Sequence, residues 1–105
     1  MIDISKILIN APEDIDDDIR RNLTMLYSIK EGEQPLDREL GINTDFMSLP
    51  LPVAKNQFSV EIIRKTELYE PRVEIQDISF DETDEDGTVI PIISLIKRED
   101  EESDE

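Results

Sequence analysis

The chain has 105 residues, enough for one domain around a modest core. It carries 11 Lys and Arg against 27 Asp and Glu, a net charge of −16, with no His and no Cys. That charge repels nucleic-acid phosphates and anionic lipid, and the missing residue types remove disulfides, thiolate metal sites and the commonest acid–base group. No apolar run approaches the roughly 20 residues that span a bilayer. Residues 1–9 lack the basic start and small-residue cleavage site of a secretory signal. The expectation is a soluble protein made inside the cell, with no cofactor, no metal, no nucleic-acid partner and no membrane partner.

Residues 1–9 are rich in isoleucine, with Ile2, Ile4, Ile7 and Ile9 beside Leu8, a strand-like composition with poor alternation. Asn10, Ala11 and Pro12 break it, and Pro12 is placed to open a helix. Glu13, Asp14, Asp16 and Asp17 crowd that helix's first turn, where the dipole favours negative charge. Ile15, Ile19, Leu23, Leu26 and Tyr27 recur at helical spacing and read as a core face. Gly32 stands where a C-terminal cap belongs. Residues 34–52 show no sustained period and are punctuated by Pro35, Gly41, Pro50 and Pro52, which predicts a long connection with one helical turn at 36–40. Its apolar residues, among them Ile42, Phe46 and Leu51, read as packing across the core, with a docking surface as the alternative.

A second helix is predicted over 54–69, with Phe58, Ile62 and Tyr69 at helical spacing and Ile63 beside them. Pro71 cannot continue it and drives Glu70 out of the α region. Glu70 then stands at the negative end of the dipole, where a carboxylate needs a positive partner. From Arg72 the apolar period becomes two, through Val73 and Ile75, then Ile78 and Phe80. The slip near Gln76 and Asp77 predicts a β-bulge or a bend inside a strand over 72–80. An acidic turn over 81–86, closed by Asp86 and Gly87, leads into a strand over 88–96. Residues 99–105 hold no apolar side chain and are expected to form a disordered acidic tail after a single domain over 1–98. The expected fold class is α+β, with two main helices packed on a small antiparallel sheet that ends in a C-terminal hairpin.

The last strand raises a problem. Val89, Ile90, Ile92, Ile93, Leu95 and Ile96 put apolar groups on both of its faces, whereas a half-solvated strand should alternate. Pro91 lacks an N–H and fits best at an edge or a bulge. An exposed apolar edge is an aggregation hazard unless something uses it. One reading is β-augmentation, in which a partner adds a strand to this edge. The other is that residues 1–9 pair with the edge and the long connection covers the face.

Catalytic chemistry has little to draw on. Nucleophile–base pairs lack a His or Cys, and three scattered glycines form no phosphate loop. Glu31, Glu33 and Asp37 lie close enough in sequence to pose the carboxylate pair of a glycosidase, as chance proximity in an acidic chain also would. The run Asp84-Glu85-Asp86-Gly87 lacks the remaining spacing of an EF-hand loop and reads as a solvated turn.

Three segments carry a resemblance. They are Ser28-Ile29-Lys30-Glu31-Gly32-Glu33 after the first helix, Pro35-Leu36-Asp37-Arg38-Glu39-Leu40-Gly41, and Glu70-Pro71-Arg72 at the helix–strand junction. In content, order and separation, over residues 11–96, the chain resembles the baseplate wedge or sheath-initiator family of contractile phage tails and related injection systems. That family includes protein W of temperate phages and the type VI secretion baseplate subunit. The resemblance implies a fold similar to the conserved domain of tail sheath proteins. It implies a place in a sixfold baseplate ring, beside tail sheath protein, other wedge subunits and tube or hub proteins, in a tail or tail-like particle assembled in the bacterial cytoplasm. The implied job is to template the first sheath ring by strand exchange. It further implies that Glu70, Pro71 and Arg72 form a polar contact with wedge partners, Arg72 reaching across; the residues by themselves also allow a local Glu70–Arg72 salt bridge. Family members often carry Gly-Glu-Arg where this chain has Gly32-Glu33-Gln34, and Arg38 is the candidate to supply the lost charge. Two alternatives accompany this: a regulatory anti-adaptor of similar fold, and a tail lysozyme.

Overall fold

The computed structural model describes residues 2–82 and 87–98. Met1, most of the expected acidic turn and the expected tail at 99–105 lie outside the described residues. The fold is α+β. A short strand β1 (Leu8–Asn10) precedes helix α1 (Asp17–Ser28). Helix α2 (Leu51–Tyr69) follows the long connection, and strands β2 (Val73–Asp81) and β3 (Ile90–Lys97) form the expected hairpin. The strand order is β1-β3-β2, so the last strand in sequence is the middle strand of the sheet.

That order corrects the purely antiparallel sheet. β1 runs parallel to β3, with Leu8 opposite Ile92, Ile9 opposite Ile93 and Asn10 opposite Ser94. An isolated bridge between Ile2 and Val89 extends the pairing. β2 runs antiparallel to β3, and its register slips between Ile75 and Asp77, so Gln76 is the extra residue of the expected bulge. The slip lets Val73, Ile75, Ile78 and Phe80 all face the helices.

The helices cover one face of this sheet. The α1 stripe of Ile19, Leu23, Leu26 and Tyr27 is buried, and Ile15 is buried just ahead of the helix. The helix starts later than Pro12 predicts. Pro12 instead accepts the Ile15 N–H at 3.2 Å in a turn that tucks Ile15 into the core, and Asp16 is the N-cap. On α2, Ala54, Phe58 and Ile62 face inward, and Phe58 packs edge-on against Phe46 and Phe80 at ring separations of 5.4 and 5.9 Å. Ile63 points outward.

The long connection packs across the core rather than standing off it. Ile42 is fully buried, and its N–H donates to the Ile29 carbonyl at 2.8 Å while its own carbonyl accepts from Glu31 at 3.0 Å. Gly41 makes that approach possible. Its φ is +107°, and a Cβ there would sit 2.5 Å from the Ile29 carbonyl oxygen. The single helical turn lies at Asp45–Ser48, not at 36–40, because Phe46 there reaches the core while Leu36 is fully exposed. Gly32 does not cap α1. The helix stops at Ser28, and Gly32 serves a later turn, at φ +95°, in which Glu33 N–H bonds the Lys30 carbonyl.

Candidate partner-binding site

α1 and α2 lie side by side in opposite directions, tied near one end by Asn22 to Glu70 and further along by Tyr27 to Thr66. The Tyr27 hydroxyl meets the Thr66 hydroxyl at 2.7 Å within the core, and burial pushes the Tyr27 phenol up to about 12. Around the C-terminal half of α2 the three resembling segments meet. Glu31 reaches Lys65, Asp37 accepts from the Tyr69 hydroxyl at 3.0 Å, and Glu70 with Arg72 follows directly on the same helix end.

Glu70 is the C-cap of α2, and its carboxylate is almost wholly buried. The positive partner that the dipole demands is Arg72. Its Nε donates to Glu70 Oε2 at 2.6 Å, and its Nη2 donates to Oε1 at 2.9 Å. Arg72 Nη1 donates to Asp18 Oδ2 at 3.1 Å, and Asn22 Nδ2 donates to Glu70 Oε1 at 3.3 Å. Pro71, exposed between them, prevents the helix from running on and gives the chain the turn that folds Arg72 back onto Glu70. Burial works to raise the Glu70 carboxyl, but the Arg72 and Asn22 hydrogen bonds and the Arg72 charge outweigh it and hold the group below its ordinary range. Its hydrogen bonds to Glu70 and Asp18 raise the Arg72 guanidinium. Within one chain the fork is therefore an intramolecular clamp between α1 and the α2–β2 junction. Glu70 faces inward, and the surface that a partner can touch is Pro71 and the half-exposed Arg72.

A second ionic cluster escaped the periodicity argument. Lys65 is fully buried on the core side of α2. Its ammonium donates to Glu31 Oε2 at 2.8 Å and to the Glu39 carbonyl, with Glu61 Oε2 at 3.7 Å. Asn43 donates through Nδ2 to Glu31 at 2.8 Å and through its backbone N–H to Glu61 at 2.9 Å. Hydrogen bonds from Lys65 and Asn43 hold the Glu31 carboxyl below its ordinary range. A glycosidase's general acid needs the opposite shift, so Glu31 is a ligand of Lys65 rather than a proton donor. Positions 54, 58, 61, 62, 65 and 66 do form a helical stripe, but three of the six are polar, so a count of apolar residues sees only half of it.

The remaining predicted residues divide. Arg38 is exposed, its carbonyl accepts the Gly32 N–H at 3.0 Å, and no ion pair among the described residues uses its guanidinium. The cations that serve the Glu31 turn are Lys65, at 2.8 Å, and more distantly Arg64, at 4.0 Å. Val89, Ile93 and Leu95 are core residues, each 2 % exposed or less, and no partner reaches them in the folded chain. Ile90 and Ile92 are half-buried and Ile96 is 40 % exposed, and none of the three packs against the core. They lie on the sheet face opposite the helices, together with Leu8, the register partner of Ile92. Apolar residues on both faces of β3 are thus real. The edge position is not, because β1 and β2 flank the strand and the chain's own N-terminal segment takes the place assigned to a partner. The long unpaired margin is the outer side of β2, nine residues from Val73 to Asp81, where no described strand pairs.

Among the described residues no group of three or more Asp or Glu is placed to hold a metal ion, and no helix is long and apolar enough to cross a membrane. Comparisons with family models, with curated proteins and with solved structures find no match to this chain.

Proposed function

We propose that this chain is a structural subunit of the baseplate of a contractile tail or injection system, and that it templates the first sheath ring by accepting a sheath strand. The observation that carries the reading is the unpaired outer side of β2, a nine-residue margin directly continuous with Glu70, Pro71 and Arg72. An unpaired strand margin is a template for a further strand. The convergence of the three resembling segments at one end of α2 supports the reading as well, since it makes them one site instead of three coincidences. The partners are then tail sheath protein along β2, and neighbouring wedge subunits against Pro71 and Arg72. The place of action is the baseplate ring of a tail or tail-like particle.

The side chains of β2 set the chemistry of the strand that fits beside it. Glu74, Asp77 and Asp81 lie along β2, and the bulge at Gln76 interrupts its spacing. Both features discourage pairing with a second copy of this chain and favour a strand that brings Lys or Arg. Cryo-electron microscopy of a contractile particle that contains this chain tests the proposal. The expected map shows foreign backbone bonded along residues 73–81. A bare outer side of β2 in a sheathed particle overturns the templating mechanism. Absence of the chain from the baseplate overturns the function.

A further inference from the structure

The sheet has a second face that no described element covers. Along it run Ile90, Ile92 and Ile96 of the middle strand, with Leu8 of β1 beside Ile92, while the alternate residues of β3 fill the core. Leu8 is 54 % and Ile96 40 % exposed. Asn10 and Ser94, joined side chain to side chain at 3.3 Å, are polar members of the same face. On the β2 side the face is bordered by Glu74, Asp77 and Asp81, the register partners of Ile96, Ser94 and Ile90. None of these three carboxylates joins an ion pair among the described residues. A sheet face with an apolar row is normally covered by a second layer.

We infer that this outer face is the docking site of an amphipathic helix from a partner protein, whose apolar stripe covers Leu8, Ile90, Ile92 and Ile96 and whose flanking Lys and Arg meet Glu74, Asp77 and Asp81. Three observations select this occupant. The apolar residues follow one strand, β3, with Leu8 of β1 set beside Ile92, which matches a single helical stripe and not a broad second sheet. From Glu74 to Asp81 the acidic border runs about 23 Å at strand rise, a length that a helix of about 15 residues spans. A second copy of this chain would set acidic border against acidic border at a net charge of −16 per chain, which works against self-association. The site is distinct from the outer margin of β2, since a strand added there lies in the sheet and a helix here lies on it. It exists whether or not the chain belongs to a baseplate.

The test uses the full chain and three labelled peptides. One is a helix-forming peptide of Leu and Lys with a single Leu stripe, the second replaces its Lys by Glu, and the third has the first's composition in a shuffled, non-amphipathic order. Fluorescence anisotropy is expected to show binding of the first alone. Ile92→Ser and Ile96→Ser are each expected to weaken it by about tenfold, and Glu74→Gln with Asp77→Asn and Asp81→Asn to weaken it and flatten its salt dependence. Asp14→Asn with Asp17→Asn, which removes the same kind of charge elsewhere, is expected to leave it unchanged. Thermal melting shows which variants are folded, and Leu8→Ser, at the most exposed position of the row, repeats the apolar test where packing is least disturbed. Equal binding of the shuffled peptide, equal loss from the distant charge variant, or no binding of the first peptide overturns the inference. So does concentration-dependent dimerisation of the chain that Ile96→Ser abolishes, because the occupant is then a second copy.

Discussion

The two ionic clusters on α2 are mirror images, and the contrast shows which partner matters in each. At the C-cap the buried member is an anion, Glu70, and its cation Arg72 is nearly half exposed. Five residues before Glu70, at Lys65, the buried member is the cation, and its carboxylates Glu31 and Glu61 retain 25 % and 11 % exposure. In each case the costly act is to remove the exposed partner, because that strands a charge which water cannot reach. Removing the buried member leaves Arg72 or Glu31 within reach of water, and leaves the buried Glu61 its contact with Arg64. Clusters alike in a bond count therefore predict opposite sensitivities along their two halves.

The largest effect expected from this contrast is at Lys65. Glu31→Gln with Glu61→Gln leaves a fully buried ammonium with only the Glu39 carbonyl and neutral amides, and should lower unfolding stability by about 3–5 kcal/mol in urea melts. Lys65→Met should cost less than that pair, since Arg64 donates to Glu61 at 3.1 Å and remains available. A costlier Lys65→Met would break the comparison.

Next comes Arg72→Met, expected to cost more at pH 7 than Glu70→Gln, with the gap closing in acid. In the wild type the Glu70 carboxyl lies below its ordinary 4.5, so its contribution is present above that pH and lost as pH falls through the lower folded value. Without Arg72, burial dominates and raises the folded value above 4.5. The folded variant then binds a proton before the unfolded chain does, and it gains stability as pH falls towards 4.5. Relief of the general negative charge is common to both proteins and cancels in the difference. Denaturant melts at pH 7 and pH 4.5 measure the gap, and a gap independent of pH would show that Arg72 acts by packing rather than charge.

Glu70→Gln alone should cost about 1 kcal/mol, because the amide can keep one bond to Arg72 while Arg72 keeps Asp18. Smallest of all is Asp18→Asn, whose partner is exposed and already bound to Glu70. Its thermal midpoint should match the wild type within error.

Much of the fold was legible because its apolar residues obey simple periods. The α1 stripe, the stop at Pro71, the demand of Glu70 for a cation, the bulge after Ile75 and the hairpin all follow from local chemistry, and the structure holds each of them. What was not legible is non-local or polar. Three paired residues of β1 are too few to display alternation, so pairing of residues 1–9 with the last strand is one of two readings the sequence allows, and nothing in it announces the parallel direction. The late start of α1 depends on Ile15 entering the core from a turn, which its spacing with Ile19 disguises as helix. Lys65, Glu61 and Thr66 occupy core positions, but their burial depends on partners from the long connection and from α1. At the candidate site, the apolar excess of β3 was visible as an anomaly. Its cause, a middle strand with one covered face and one bare face, required the strand order.

That strand order also governs when the molecule can exist. The strand around which the sheet is laid follows both of its neighbours in the chain, and its parallel neighbour precedes the other two. Until β3 has left the ribosome, β1 and β2 have nothing between them to pair with, so no chain that lacks β3 can close the sheet. A product cut short of β3 therefore fails to display the bare face or the outer side of β2 in usable form, and an assembly that docks on either surface would receive only subunits that carry β3.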